Sequence, residues 1–130
     1  YDGACRPLGD ESKQENPTVD ESCLFCRIVN GQMGTEFVAQ SEHAVAFDDI
    51  APSAPVHILV VSKRHVRSLR ELDDPLIAAE LLSLASQVAK ERNLFAGGYR
   101  VVINDGEDAG QTVFHLHAHV LGGQRLGRMG

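Results

Sequence analysis

The most informative segment of this chain reads His115-Leu116-His117-Ala118-His119-Val120-Leu121. Histidine occupies every second position from 115 to 119, and apolar residues stand between and after the histidines. Because side chains alternate between the two faces of a β-strand, this spacing predicts a strand with three imidazoles on one face, roughly 6–7 Å apart. Neutral imidazole is a metal ligand, a nucleophile and a proton carrier near pH 7. The segment therefore indicates either a metal site or a site for phosphate chemistry.

The remaining pattern predicts an α+β domain around an antiparallel sheet, with a short N-terminal helix and one long helix. Apolar alternation and β-branched runs predict strands over residues 36–40, 43–47, 56–61, 99–104 and 113–121. The short helix is predicted between Glu21 and Gly31. The long helix is predicted to begin at Asp74-Pro75, an N-cap followed by proline, and to run as far as Gly97-Gly98.

Length and composition indicate one globular domain, since the chain has 130 residues, of which 43% are hydrophobic and 23% charged. Residues 1–20 carry five acids, two prolines and few apolar side chains, and we expect them to form a disordered tail. The domain is expected to span residues 21–130. The chain begins at Tyr1, and the sequence leaves N-terminal processing open.

Charge and cysteine content narrow the classes of partner. A net charge of -6 with scattered basic residues argues against binding to a nucleic-acid duplex. No apolar run is long enough to span a bilayer, so no membrane partner is expected. Three cysteines, two of them in the C-x-x-C pair Cys23 and Cys26, do not suit a secreted disulfide framework. A reducing, cytoplasmic location is therefore expected.

The segment from His115 to Leu121 resembles the defining motif of the histidine-triad (HIT) superfamily. Further segments resemble its histidine triad nucleotide-binding branch, and these are Ala46–Ile50, Pro55-Val56-His57, Asn104, Gly106, 110–114 and Gly122-Gly123. The similarity covers about residues 21–123. It implies a HIT-like fold, a homodimer, and cleavage of purine nucleoside phosphoramidates and related adenylates to the nucleoside monophosphate.

The resemblance also implies roles for the catalytic residues. His117, the middle histidine, would be the nucleophile and would form a nucleotidyl-histidine that water hydrolyses. His119 would contact the same phosphate, and Thr112 would supply a hydroxyl donor to it. His115 is a candidate for proton transfer, and His57 for orienting a partner or relaying a proton. The catalysis implied requires no cofactor.

Nucleotide contacts are implied on the same basis. Asp49 falls where the family places the carboxylate that accepts hydrogen bonds from both ribose hydroxyls, and Asp48 is the weaker candidate. Asn104 would add an amide donor, and backbone N–H groups around Gly110, Gln111 and Thr112 would face the phosphate. The base pocket would be lined by apolar residues, each of which could equally be plain core, and these are Phe25, Ile28, Phe47, Ile50 and Leu59.

A structural zinc site is implied by the four residues Cys23, Cys26, His65 and His115, because some bacterial relatives build such a site from this set. The alternative is that the two cysteines are buried thiols without a metal. A zinc-bound His115 could not also transfer protons, so the two roles given to this residue exclude each other.

Several functional alternatives stay open. A dinucleoside polyphosphate hydrolase would share the triad, although Gly122-Gly123 counts against it. A nucleotidyl transferase would have glutamine in place of His119. A zinc-stabilised nucleotide-binding scaffold with incidental hydrolysis would use the same residues. The end of the chain, 124–130, lacks the tryptophan and proline pair of the closest branch, which leaves the preferred leaving group open.

Overall fold

A computed structural model of the chain describes residues 22–129. The predicted disordered tail, residues 1–20, lies outside the described residues. The helices are α1 (Leu24–Val29) and α2 (Pro75–Glu91), and the strands are β1 (Ala39–Gln40), β2 (Ala44–Asp48), β3 (Val56–Ser62), β4 (Tyr99–Val102) and β5 (His117–Gly122). Two single-turn 3₁₀ helices lie at Leu69–Glu71 and Glu107–Ala109. The predicted fold class, a sheet with one short and one long helix, is confirmed.

All five strands form one antiparallel sheet in the order β1-β2-β3-β5-β4. The central pair is β3 and β5, in which Val61 lies opposite His117, and Leu59 opposite His119. Residues that lie directly opposite each other share a face of the sheet. His117, His119 and the odd-numbered residues of β3 therefore project from the same face.

Helix α2 covers the other face of the sheet. It begins at Pro75, and the Asp74 side chain caps it by accepting a hydrogen bond from the Leu76 N–H. Its buried residues include Ile77, Leu81, Leu84 and Val88, at helical spacing, and they pack with even-numbered strand residues such as Ala44, Ala46, Ile58 and Val60. This main core supports the sheet from behind. Among the described residues, no helix has the length and apolar character needed to cross a membrane.

Helix α2 ends earlier than predicted, at Glu91 rather than near Gly97. Asn93 adopts a positive φ of 63°, a conformation that asparagine tolerates better than most residues. The N–H of Leu94 then donates to the carbonyl of Ala89, closing the helix end. The glycine pair that follows is part of the loop to β4.

Strand β5 is also shorter than predicted, because it begins at His117 and not at Val113. The Leu116 N–H donates to the Val66 carbonyl at 2.7 Å, so the chain before His117 bonds to another loop. His115 therefore lies outside the strand, and the prediction of three histidines on one strand face is wrong for this residue. Strand β1 is reduced to two residues, and β4 ends at Val102 rather than Asn104.

Candidate active site

Three histidines form a row on the sheet face opposite α2. His117 and His119 come from β5, and His57 comes from β3. The ring centroids of His117 and His119 are 5.0 Å apart, and those of His57 and His119 are 5.1 Å apart. We call these three residues the histidine row. The structure thus brings together three of the predicted catalytic residues, whose two-residue spacing on β5 follows from strand geometry.

His117 is held in one tautomer by the main chain. Its Nδ1 lies 2.6 Å from the carbonyl oxygen of His115, and a carbonyl can only accept a hydrogen bond. The hydrogen of neutral His117 therefore sits on Nδ1, which leaves the lone pair on Nε2. Burial lowers the pKa of this ring, and the hydrogen bond to the His115 carbonyl opposes that shift. His117 consequently presents a neutral, nucleophilic Nε2 near pH 7.

His57 and His119 form a hydrogen-bonded chain with a defined direction. The Ser53 N–H donates to Nδ1 of His57 at 2.9 Å, so His57 carries its own hydrogen on Nε2. That Nε2 lies 2.9 Å from Nδ1 of His119, which must accept. The remaining hydrogen of His119 is then on its Nε2. Burial, and next the neighbouring rings of His117 and His57, lower the pKa of His119 to about 4, so the ring is a neutral donor.

The two candidate carboxylates lie on opposite faces of the sheet. Asp49 follows β2, and its Oδ2 is 3.4 Å from Nε2 of His57, at the end of the histidine row. Asp48, on β2, instead pairs with Arg92 at 2.8 Å. Successive strand residues point to opposite faces, which is why the neighbouring acids separate. The expectation that Asp48 contacts the nucleotide is therefore not supported by its position.

The loop of residues 106–112, here called the glycine loop, is braced from within by Gln111. This side chain is only 5% exposed. Its Oε1 accepts from the Gly106 N–H at 2.8 Å, and its Nε2 donates to the carbonyls of Arg67 and Val113 at 3.1 and 3.2 Å. The main-chain N–H of Gln111 also donates within the loop, to the Gly106 carbonyl at 3.0 Å, and that of Gly110 donates to the Glu107 carbonyl at 3.0 Å. The backbone phosphate role expected of Gly110 and Gln111 is therefore not supported by their hydrogen bonds.

The other residues expected to contact phosphate lie near this brace. Gly110 has a positive φ of 90°, which favours glycine at that turn. Thr112 and Gly110 are exposed, and Asn104 is half-buried beyond the end of β4. Their exposure leaves the outer side of the glycine loop open to a ligand.

Four of the five predicted base-pocket residues lie together beside the histidine row, in a buried cluster with Val45 and Val61. We call these four residues the apolar wall, and they are Phe25, Ile28, Phe47 and Leu59. The ring of Phe25 meets that of His117 edge-on, with centroids 4.9 Å apart. Ile50 is 99% exposed and so forms no part of this wall.

A second cluster lies where α1 meets the chain before β5. It consists of Cys23, Cys26, His65 and His115, and we call it the thiol–histidine cluster. One donor atom from each residue lies within 4.8 Å of those of the others, and three of the four residues are buried. The thiols lie 3.1 to 3.5 Å from ring nitrogens, since Sγ of Cys23 and of Cys26 face Nδ1 of His115, and Sγ of Cys26 faces Nδ1 of His65.

The protonation pattern of this cluster suits a metal. Nε2 of His115 donates to the Ser62 carbonyl at 2.7 Å, which leaves the Nδ1 lone pair turned toward both thiols. A hydrogen bond from the Cys26 thiol lowers the pKa of Cys23 to about 4, although burial opposes this. Burial and the nearby His115 lower the pKa of His65 to about 3. Thiolate sulfur and neutral imidazole are the donors that tetrahedral Zn²⁺ prefers.

Two other groups in the described part of the chain also bring potential ligands together. In the group Asp49, His57 and His119, the two rings are hydrogen-bonded to each other, so Nε2 of His57 carries a hydrogen. The Ser53 N–H donates to Nδ1 of His57, which prevents the hydrogen from moving there and freeing Nε2 to bind a metal. In the group Glu42, His43 and Glu80, the Glu80 carboxylate already accepts from Ser41 and His43. Neither group offers the free lone pairs of the thiol–histidine cluster.

A cavity of about 600 Å³ lies elsewhere, between the α2–β4 loop and the segment after β5. Arg100, Arg125 and Tyr99 are among its lining residues, and no acid lines it. None of the residues predicted for the catalytic or nucleotide site contributes to this cavity.

Comparison with known proteins gives consistent matches. A family model described as the HIT domain matches residues 30–126, more than half of the chain. A 13.2-kDa HIT-like protein of Azospirillum brasilense is 41% identical over 115 residues, which are 86% of this chain and 94% of that protein.

Solved structures agree in fold. A HIT family hydrolase from Clostridium thermocellum is 36% identical, with a TM-score of 0.81 over 85% of this chain and 98% of that one. A Zn-bound histidine triad family protein from Mycobacterium smegmatis is 33% identical, with a TM-score of 0.72 over 80% and 76% of the two chains.

Proposed function

The chain belongs to the HIT domain family, and from this premise we propose that it is a hydrolase acting on purine nucleoside phosphoramidates or adenylates. The products are the nucleoside monophosphate and the released amine or acid. One observation carries the proposal: the His115 carbonyl fixes the hydrogen of His117 on Nδ1 and leaves Nε2 as a nucleophile. The relative from Clostridium thermocellum, described as a hydrolase, supports the reaction class.

In the first step, Nε2 of His117 attacks the α-phosphorus and the bond to the leaving group breaks. His119, whose Nε2 carries a hydrogen, donates a hydrogen bond to a phosphate oxygen, and His57 holds it in that tautomer. A departing amine takes its proton from solvent. In the second step, water attacks the same phosphorus and gives up a proton to solvent, the N–P bond to His117 breaks, and the monophosphate leaves. The row serves both steps because both pass through one phosphate position.

The nucleoside lies, in this proposal, between Asp49 and the apolar wall. Asp49 accepts hydrogen bonds from the ribose hydroxyls, and its side chain is partly accessible for this purpose. The apolar wall faces the base, and the exposed Thr112 of the glycine loop donates its hydroxyl to the phosphate.

The test is an acid-quenched mass spectrum taken during turnover of an adenosine phosphoramidate. We expect an adenylyl group on the peptide containing His117, and none in His117→Gly. His43→Gln is the matched control, because His43 lies outside the row and bonds to Glu80. Net inversion at a chiral phosphorus in a single turnover would contradict the proposal, since two in-line displacements give retention. Parallel assays on diadenosine polyphosphate and an aminoacyl adenylate discriminate between leaving groups.

Structural zinc is proposed for the thiol–histidine cluster. The compact arrangement of two thiols and two ring nitrogens supports this, as does the description of the Mycobacterium smegmatis relative as Zn-bound. Zinc there would crosslink α1 to the loops around His65 and His115. Elemental analysis of protein isolated without chelator should find about one zinc per chain, and Cys26→Ser should lose it. Protein without zinc after loading would contradict the site.

A homodimer through β4 is proposed as the assembly. Strand β4 is the last strand of the sheet, and Val101 and Tyr99 on its α2 side are partly exposed, with Phe95 stacked on Tyr99 at 5.9 Å. An exposed apolar edge strand is prone to pair with another copy. Light scattering should give the mass of a dimer, and Val101→Lys should shift it toward the monomer. A monomeric unsubstituted protein would refute this assembly.

A further inference from the structure

We propose that the thiol–histidine cluster, when it holds zinc, positions the nucleotide site by fixing α1 and the main chain of His115. This rests on the zinc proposed above. The role goes beyond general stabilisation, because the cluster and the histidine row share two connections. One runs through helix α1, and the other through the backbone of His115.

The first connection is α1 itself. Its N-cap residue is Cys23, and Cys26 lies within it, so the two thiols hold the first turn. Phe25 stands between them and presses edge-on against the ring of His117. A six-residue helix has little stability of its own and depends on its tertiary contacts. Apart from the thiols, its buried anchors are the side chains of Phe25 and Ile28.

The second connection is the peptide group of His115. The ring of His115 is held by Cys23 and Cys26 on one side and by the Ser62 carbonyl on the other. The carbonyl oxygen of the same residue accepts the hydrogen bond that fixes the tautomer of His117. His115 precedes β5, and its carbonyl shares a peptide unit with the Leu116 N–H, which donates to the Val66 carbonyl at 2.7 Å. This hydrogen bond and the ring contacts of His115 together hold the carbonyl toward the nucleophile.

A consequence follows for the metal-free protein. Without zinc, α1 is held by the buried Phe25 and Ile28, by the partly buried Val29, and by thiol–imidazole hydrogen bonds, which are weak. We expect α1 to open locally while the core on the α2 face stays closed. Phe25 and Ile28 then line the base pocket only part of the time. The His115 carbonyl keeps the anchor of the Leu116 N–H but loses that of its ring, so it is held less firmly against the Nδ1 hydrogen of His117. Cys23, Cys26 and His65 are positioning residues in this sense, since they act through α1 and His115.

The experiment compares the full chain loaded with zinc and the same protein after chelation, with zinc content measured in both. Amide exchange is followed at Asn30 in the α1 end, whose N–H bonds to the Cys26 carbonyl, and at Val60 in the core strand β3. Chelation should speed exchange in α1 by about tenfold or more and leave β3 unchanged. AMP affinity should fall by about tenfold, or about 1.4 kcal/mol. The ¹⁵N signals of His117 should move toward the average of the two tautomers, and added zinc should reverse all three changes.

Three outcomes overturn the inference, and they differ in meaning. Failure to bind zinc removes the metal site as well. If zinc binds and is fully removed while α1 exchange, AMP affinity and the ¹⁵N signals stay unchanged, the positioning role alone is refuted. Equal acceleration in α1 and β3 means that zinc stabilises the whole fold and not this helix. Cys26→Ser should reproduce the chelated state, while Cys5→Ser, which removes the remaining thiol outside the cluster, should behave as the unsubstituted chain.

Discussion

Replacing Gln111 by glutamate tests how the glycine loop is held. The change keeps the shape of the side chain and the oxygen that accepts from the Gly106 N–H. It converts the amide that donates to the carbonyls of Arg67 and Val113 into a second oxygen. The carbonyls of these two half-buried residues then face an acceptor and have lost their donor. The loop must shift, or the introduced carboxyl must take up a proton.

The size of the effect follows from these contacts. Each lost hydrogen bond is worth about 0.5–1.5 kcal/mol net, and each buried group left without a partner costs about 1–3 kcal/mol. The variant should therefore be less stable by about 2–5 kcal/mol when the carboxyl is ionised. Typical domains have about 5–15 kcal/mol of stability, so the variant should still fold at neutral pH. Turnover should fall more than AMP affinity falls, because the proposed site places the loop against the reacting phosphate.

The pH dependence has a defined sign. Burial against two carbonyls raises the pKa of the introduced carboxyl above its ordinary value of about 4.3. The native variant then binds more protons than its unfolded chain between these two pKa values, so its stability relative to the unsubstituted protein falls as pH rises. At low pH the protonated carboxyl donates one hydrogen bond and recovers part of the loss.

Urea unfolding of Gln111→Glu and the unsubstituted protein at about pH 5 and about pH 8 measures this difference. Gln87→Glu is the matched control, since Gln87 is an exposed residue of α2 whose side-chain amide donates to Glu91. It should cost about 0.2–0.5 kcal/mol. A loss of stability in Gln111→Glu no larger than in the control, or one that does not change with pH, would refute the bracing role.

Three further predictions concern separate contacts. Asp49→Ala should weaken AMP binding by about 1.5–3 kcal/mol for each lost charge-assisted hydrogen bond, and unchanged affinity by calorimetry would show that Asp49 does not face ribose. Hydrogen bonds from Ser41 and then from His43 lower the pKa of Glu80 to about 2, and the bond to Glu80 raises the pKa of His43. The stability advantage of the unsubstituted protein over Glu80→Gln should be greatest between pH 4.5 and 6.5. It should fall at lower pH as Glu80 takes up a proton, and fall in part at higher pH as His43 loses one. A difference in thermal unfolding that does not change with pH would contradict this. Gly123→Ala should destabilise by about 1–3 kcal/mol, because φ is 96° and the new Cβ would lie 2.9 Å from Cβ of Pro55, and unaltered urea unfolding would count against it.

The fold was largely predictable from local patterns. The Asp74-Pro75 start gives α2, and the two-residue period of β5 gives the strand and the shared face of His117 and His119. The order of strands was not predictable, because pairing between β3 and β5 depends on contacts distant in sequence. The end of α2 was missed because Asn93 takes a positive φ, a choice that the apolar pattern does not reveal.

The parts of the site that consist of histidine, cysteine and aspartate side chains were predictable from the sequence. The main-chain groups that set the tautomers of the histidines were not. The Ser53 N–H sets the tautomer of His57, and the Ser62 carbonyl sets that of His115. Every residue has a backbone carbonyl and every residue except proline has an N–H, so no residue type could have marked the two positions. Asp48 and Asp49 could be told apart only after the pairing of β2 with β3 fixed which face each one occupies.

His115 lies outside strand β5, and this position explains how the chain avoids the conflict between the two roles assigned to His115 from the sequence, zinc binding and proton transfer. Had β5 extended through His115, its ring would have joined His117 and His119 on the sheet face. Instead the Leu116 N–H bonds to Val66, and the ring turns to the thiols while its carbonyl stays with His117. The ring is thereby available to a metal, and the peptide group holds His117 in its tautomer. In the proposed reaction the second histidine contact to the phosphate comes from His119, whose link to His57 involves neither the thiols nor His115.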